Sequence, residues 1–384
     1  MKKIKKIFYW SPSLVSIATN DAVINSAYSL SRYEKSYKTY ILNFFGEFER
    51  FKEKILKKNI ETIDYFNKSF FKFLPKHGKI NSRFSFIIIF LMSFFPLKKI
   101  LKKEQPDYLI IHLITSLPLI LLLIFDFKTK FILRISGYPQ MNFFRKLLWK
   151  LAFKKIYKVT CPTIGTYNYL KKMNILSDNK IHILYDPIID VKDVIKKRKE
   201  KNVEYKNYFF AAGRLTKQKD FSFLCKASKD KIKKNNDFKI LIAGEGEEKR
   251  KLIKYVNNNN LQKNIIFLNY VDNIFPYFFN AKAFILSSLW EDPGFVLIEA
   301  AISRTLVLSN DSEPGPKDLI EDNYNGIVYK KKNIESFHEK FDQVLKGKNI
   351  DTKSLIYNNL KNVRKFTIFY HFKSFDKILS NQIK

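Results

Sequence analysis

Short apolar runs alternate with longer segments of helical spacing along this chain, and the alternation occurs twice. In the first half, runs rich in β-branched and aromatic residues fall at Lys5–Trp10, Lys38–Phe44, Asp107–His112, Lys130–Ile135, Lys158–Cys161 and Lys180–Leu184. Segments with helical periodicity lie between them, among them Ala22–Tyr33 and Asn142–Phe153. A second series follows at Tyr208–Ala212, Lys239–Ala243, Ile265–Leu268, Ala283–Ser287, Leu306–Ser309 and Gly326–Tyr329. Strands alternating with helices imply parallel sheets joined by crossover helices. The pattern therefore predicts an α/β chain of two successive doubly wound, Rossmann-like parallel-sheet domains. Between the two series lies VKDVIKKRKEKNVEYK, Val191–Lys206, which is highly charged and has almost nothing to bury. It reads as a linker. The expected division is residues 1–190, a linker at 191–206, a second domain at 207–358, and a C-terminal helical segment at 359–384 that could pack back on either domain, the first among them.

Two stretches are apolar enough to raise the question of a membrane. Phe84–Leu97 has 11 apolar residues in 14, flanked by Arg83 and by Lys98 and Lys99. Leu109–Phe125 has 13 in 17, but His112, Thr115, Ser116 and Pro118 interrupt it. Both fall short of the ~20 apolar residues that a spanning helix needs. They are expected as a buried strand or an interfacial helix. The start, Met1–Trp10, is basic, but residues 11–21 are polar, so the reading is a first strand and not a secretion signal.

Composition narrows the classes. The chain has 384 residues, 46% hydrophobic and 16% aromatic, enough for two cores. Its two cysteines, Cys161 and Cys225, lie far apart, which argues for a reducing compartment and against a disulfide framework or zinc site. The formal net charge is +34, from 70 basic and 36 acidic residues, and residues 1–190 hold 33 of the former and 13 of the latter. Such a surplus attracts polyanions, anionic lipid or phosphate-bearing substrates. Of the basic residues 60 are lysine, however, and a lysine-, asparagine- and isoleucine-rich mix is also what an AT-rich coding sequence supplies.

Ligands of open parallel sheets bind at the carboxyl ends of the strands, so the strand-end loops of the second half carry the candidate chemistry. After Tyr208–Ala212 comes GRLTKQKD, Gly213–Asp220, where Arg214 and Lys219 can clamp a diphosphate and neutralise it as it leaves; alone, it also fits a lysine-rich turn. After Lys239–Ala243 comes Gly244-Glu245-Gly246, a tight strand-to-helix turn that is neither a dinucleotide fingerprint nor a phosphate loop. After Ala283–Ser287 comes LWEDPGFVLIEAA, Leu289–Ala301. Pro293 and Gly294 mark a loop there, and a helix is expected from Phe295. Free amides over Gly294–Leu297 would make an anion site. Glu291 before it and Glu299 within it could grip the sugar and ribose hydroxyls, although Glu299 also fits a residue that compensates the helix dipole. Asn310–Asp318 forms a further turn at the same sheet edge.

These motifs together resemble the retaining glycosyltransferases of family 4, which have the GT-B fold. The likeness rests on Gly213, Arg214 and Lys219, on Gly244 and Gly246, on Glu291 and Glu299 with seven residues between them, and on Gly315–Tyr329. The resemblance implies two Rossmann-like domains facing a central cleft, and transfer of a sugar from a nucleoside-diphosphate donor with retained configuration and no metal. Arg214 and Lys219 would hold the donor diphosphate, Glu291 the sugar, the amides near Gly294, Phe295, Val296 and Leu297 a phosphate, and Glu299 the ribose; Gly213 and Gly246 would also be donor-binding. The five histidines, His77, His112, His182, His338 and His371, form no metal-ligand motif.

The departures from the family pattern are specific. The loop after the first strand reads Ser11–Asn20 where many members have paired glycines. The Leu133–Pro139 region lacks a common histidine, and Asp220 and Asn269 replace glycines. On the acceptor side Asn20, His112 and Arg134 are the candidates, with a structural histidine as the other reading of His112. The basic first half, with Phe84–Leu97 running into Lys98, Lys99, Lys102 and Lys103, suits contact with anionic lipid; the other reading is a buried helix with a lysine-rich end. The expected acceptor is a lipid-linked or lipopolysaccharide glycan, and the expected location is the cytoplasm, peripheral on the inner face of the membrane. A nucleic-acid partner is disfavoured, because helix-turn-helix, zinc-finger and interleaved basic-aromatic motifs are missing from the sequence.

Overall fold

The computed structural model describes residues 3–13, 18–66, 79–136, 138–139, 141–200, 203–347 and 350–382. The chain divides into two compact units, residues 1–188 with 368–384, and residues 189–367. Each is built on a sheet in which every pairing is parallel.

In the first unit the strands are β1 (Lys5–Trp10), β2 (Tyr37–Asn43), β3 (Glu61–Asp64), β4 (Tyr108–Ile111), β5 (Lys130–Arg134), β6 (Lys158–Cys161) and β7 (Ile181–Ile183), in the spatial order β3-β2-β1-β4-β5-β6-β7. The central strands are near-continuous apolar runs because both faces of the sheet are covered. Alternate residues point to opposite layers. Phe8, Trp10, Leu109, Ile111, Phe131 and Leu133 pack with the helices Lys79–Glu104, Ser116–Ile124 and Phe143–Lys155. Ile7, Tyr9, Tyr108, Ile110 and Ile132 pack with Ala18–Tyr33 and the C-terminal helix.

The second unit has β8 (Tyr208–Ala212), β9 (Lys239–Ala243), β10 (Ile265–Phe267), β11 (Ala283–Leu286), β12 (Val307–Asn310) and β13 (Ile327–Tyr329), ordered β10-β9-β8-β11-β12-β13. In both sheets the order reverses beside the first strand, between β1 and β4 and between β8 and β11. Such reversals open the crevice in which doubly wound sheets hold ligands.

Several expected elements differ. Phe84–Leu97 lies in one 26-residue helix, Lys79–Glu104, and its part Phe84–Glu104 is long and apolar enough to cross a membrane, with a mean hydropathy of 1.9. The sequence reading made this stretch too short because it stopped at the lysines, which continue the helix. Leu109–Phe125 divides into β4 and the Ser116–Ile124 helix. The charged stretch expected as a linker opens as the helix Val191–Lys197, which buries Val194. The helix expected over Asn359–Leu379 is three pieces: the end of Thr352–Asn362, a 3-10 turn at Val363–Phe366, and Ile368–Leu379.

That last helix belongs to the first unit. Phe375, Ile378 and Leu379 join the core beside Val23, Ile24 and Ala27, and the Tyr108 hydroxyl donates to the Leu379 carbonyl at 2.7 Å. His371 is 3% exposed. Its Nδ1 lies 2.7 Å from the Tyr185 carbonyl oxygen, which only accepts, so Nδ1 carries the proton. Nε2 then accepts from the Ser26 hydroxyl at 2.8 Å, and Ser26 accepts from Tyr9 at 2.9 Å.

Candidate active site

The loops after β8 and β9 are pressed together, which explains their glycines. Gly244 has φ +145°, and a Cβ there would stand 1.9 Å from the Gly213 carbonyl oxygen; one on Gly246 would stand 2.3 Å from that of Leu215. The Leu215 amide donates to the Glu245 carbonyl at 2.8 Å, and the Glu248 amide to the Leu215 carbonyl at 2.9 Å. Gly246, read from the sequence as donor-binding, thus has a packing reason of its own. The two family glycines replaced here sit where left-handed backbone is needed. Asp220 has φ +46° and Asn269 φ +60°, a region Asp and Asn enter more readily than other non-glycine residues. Asp220 also caps the helix Phe221–Lys234, accepting from the Phe223 amide at 3.2 Å.

The same β8 loop is zipped to the loop after β11. The Leu289 amide donates to the Gln218 carbonyl, the Gln218 side chain to the Trp290 carbonyl, and the Ser287 hydroxyl to the Lys219 carbonyl. At the centre Lys219 Nζ lies 2.5 Å from Glu291 Oε1, which also accepts from the Ser288 hydroxyl at 2.6 Å. The two side chains are 12% and 8% exposed. The loops close over each other and largely bury the pair. An ammonium has three donors, and one of those on Lys219 is spent on Glu291, so two remain for ligand oxygens. Arg214, by contrast, is exposed and forms no ion pair among the described residues. The loop therefore offers one cation held by a carboxylate, Lys219, beside the exposed Arg214 and Lys217.

Beside the pair begins the helix Phe295–Ile302, with Gly294 at φ +93° before it and no side-chain cap. The Leu297 amide is taken by the Gly294 carbonyl at 3.0 Å, so Phe295 and Val296 hold the amides open to an anion. Leu297 itself is buried as core. Glu299 stands one turn further in, on the same helix face as Phe295. The loop after β12 completes the cluster: the Gly315 amide donates to the Glu291 carbonyl at 2.9 Å, and a Cβ on Gly315 would lie 2.1 Å from the Pro293 carbonyl oxygen. Ser287, Ser288 and Gln218 were not singled out from the sequence, and Gly315 was marked only as the start of the Gly315–Tyr329 segment. The adjacent serines at the end of an apolar run were the available signal.

The acceptor-side candidates fare differently. Arg134, at the carboxyl end of β5, is 4% exposed; it donates to the Leu184 carbonyl at 2.6 Å and pairs with buried Asp186 at 2.5 Å. These bonds tie β5 to the chain after β7. His112 follows β4, and burial, helped by the charge of Arg134, lowers its pKa to about 3, so it is neutral. Asn20 is buried; its amide donates to Ser13 at 3.1 Å, while its Oδ1 has no hydrogen-bond partner among the described residues. Residues 14–17 and Gly137, in the two loops where the sequence departs from the family pattern, lie outside the described residues. Among the described residues no group of three or more His, Cys, Asp or Glu is placed to hold a metal ion.

Residues 193–362 match the model of the glycosyl transferases group 1. A glycosyltransferase of Methanocaldococcus jannaschii is 30% identical over 244 residues, covering 58% of this chain and 60% of that protein. The chain thus spans less than two thirds of that relative's length. A Campylobacter jejuni enzyme named N-acetylgalactosamine-N,N'-diacetylbacillosaminyl-diphospho-undecaprenol 4-alpha-N-acetylgalactosaminyltransferase is 24% identical, with 66% and 68% covered. The crystal structure of Anabaena HepE in complex with UDP superposes with a TM-score of 0.71 at 13% identity over 98% of this chain and all of that one. The fold is GT-B, and the group 1 match and the named relatives support a transferase enzyme.

Proposed function

We propose that the chain is a retaining glycosyltransferase of family 4 that moves a hexose or N-acetylhexosamine from a nucleoside-diphosphate sugar, with UDP as the nucleotide, to a lipid-linked or lipopolysaccharide glycan. The observation that carries this is the Lys219–Glu291 pair beside the uncapped helix start. It puts a fixed cation, a carboxylate and free amides on one strand-end surface. A diphosphate would take the remaining Lys219 donors, the exposed Arg214 and the amides of Phe295 and Val296. Glu291, held by Lys219 and Ser288, would orient sugar hydroxyls, and Glu299 the ribose. The reaction breaks the bond from the anomeric carbon to the diphosphate oxygen and forms one to the acceptor oxygen on the same face. The acceptor's proton passes to the departing diphosphate, whose charge Lys219 and Arg214 stabilise. Cations in these roles make a metal unnecessary.

The nucleotide follows the UDP bound in the HepE structure, and the lipid-linked acceptor follows the name of the Campylobacter enzyme. Such an acceptor places the protein in the cytoplasm, peripheral on the inner face of the membrane. The test is a thermal-shift panel of UDP, GDP, ADP and CMP with EDTA present. One nucleotide should raise the melting temperature in the wild type and fail to do so in Arg214→Ala. No shift with any of them would contradict a donor site here.

A further inference from the structure

The Lys79–Glu104 helix has two faces of different fate. Ser85, Ile89, Ser93, Leu97 and Leu101 are buried against the first unit's core. On the opposite side Phe84, Ile87, Leu91 and Phe95 are 58%, 57%, 65% and 71% exposed. At helical spacing this apolar stripe runs on into Lys98 and Lys102, with Lys99 and Lys103 alongside. The Phe143–Lys155 helix repeats the arrangement. Trp149, Ala152 and Phe153 are buried, while Phe143 and Phe144 are 75% and 78% exposed, with Leu147 and Leu151 following on the outer side. Around them stand Arg145, Lys146, Lys150, Lys154 and Lys155.

The two stripes share one surface. The Ser116–Ile124 helix packs against both helices, and all three cover the same face of the sheet, through Leu109, Ile111, Phe131 and Leu133. We infer that this three-helix layer of the first unit lies flat on an anionic lipid bilayer, with Phe84–Phe95 and Phe143–Leu151 buried among the acyl chains and the lysines at the phosphates. The charge selects the occupant. From Phe84 to Lys103, and throughout Phe143–Lys155, there is no acidic residue. A second copy docking face to face would bring cation against cation, whereas anionic headgroups complement it. A spanning role is excluded for the Lys79–Glu104 helix by its inner face, which the sheet already covers.

This deepens the proposed function by naming the membrane contact for a lipid-linked acceptor, but docking is measured without donor or acceptor. The purified chain is sedimented with sucrose-loaded vesicles of phosphatidylcholine, with and without phosphatidylglycerol. Binding should require phosphatidylglycerol. Phe143→Ser/Phe144→Ser and Phe84→Ser/Leu91→Ser should each lower the partition coefficient about tenfold or more, since each removes two inserted side chains. Lys146→Gln/Lys150→Gln should weaken binding at low salt and flatten its salt dependence, because fewer screened charge contacts remain. Melting temperature and the nucleotide-induced shift should stay at wild-type values in all of them. Wild-type binding in Phe143→Ser/Phe144→Ser would overturn the two-helix surface, and equal binding to neutral vesicles would overturn the role of charge. A dimer by light scattering that these substitutions dissolve would overturn the lipid occupant in favour of a second copy. Loss of the nucleotide shift with lipid binding intact would strike the donor site alone.

Discussion

Replacing Lys219 by alanine leaves the Glu291 carboxylate, 8% exposed, with the Ser288 hydroxyl as its remaining hydrogen-bond donor. A buried ion pair gains little net stability over an apolar pair of the same volume, because desolvating both charges offsets their attraction, but removing one partner strands the other. The expected cost of Lys219→Ala is about 3–5 kcal/mol, a large part of the roughly 5–15 kcal/mol that holds a domain folded. Glu291→Ala strands the ammonium, which is 12% exposed and lies nearer solvent, so its cost should be smaller. The double variant Lys219→Met/Glu291→Leu strands no charge, only the Ser288 hydroxyl, and should recover most of the loss. Turnover should behave otherwise: both singles and the double should fall on the order of a hundredfold or more, because in the proposed function the charges act on the leaving diphosphate and the sugar. Urea unfolding followed by circular dichroism measures the first quantity, and release of nucleoside diphosphate from the sugar nucleotide measures the second. Lys219→Ala with stability within about 0.5 kcal/mol of wild type would refute the buried pair, and a double variant that still turns over would refute its chemical role.

Arg214→Ala should leave stability unchanged, because the side chain is exposed and unpaired among the described residues, while weakening nucleotide binding by tenfold or more in a calorimetric titration. Gly246→Ala should destabilise by about 1–3 kcal/mol, since its Cβ would meet a backbone oxygen that cannot turn aside; urea midpoints at unchanged slope would show it. His371, neutral when folded, has its pKa lowered from 6.5 to about 3, chiefly by burial. Below about pH 6.5 the unfolded chain therefore takes up a proton that the folded chain refuses, and stability falls with pH by up to about 1.4 kcal/mol per unit. His371→Gln should flatten the dependence between pH 6.5 and 5 by that amount. Burial raises Glu47 to about 7 and gives a slope of opposite sign between pH 4.5 and 7, but it is common to both proteins and cancels in the comparison.

The strands that line both cores were legible because their burial is two-sided and their residues are apolar throughout, as in β8 and β11. β3 was not: ETID has a single apolar side chain, and its pairing with β2, from Tyr40↔Glu61 to Asn43↔Asp64, makes it a strand. The donor-side loops were legible as loops, from their glycines and prolines. That Lys219 touches Glu291 was not, since the two lie 72 positions apart and only the strand order brings β8 beside β11. Arg134 is a like case: its pairing with Asp186 depends on where the chain after β7 runs. The lysine-flanked apolar stretch at Phe84 could be seen from its length, but the exposure of Phe143 and Phe144 could not, because their helix has ordinary apolar content and only the sheet decides which face it buries.

Sugar transfer itself tests the account most directly. The purified chain is incubated with isolated bacterial membranes and labelled UDP-hexose or UDP-N-acetylhexosamine in EDTA, the lipid fraction is extracted, and the new linkage is read by NMR. Label should enter the lipid fraction from one donor with its anomeric configuration retained, and Glu291→Ala should abolish it. Transfer with inverted configuration, or no transfer from any donor by a protein that binds UDP, would contradict the reading of this chain as a retaining glycosyltransferase.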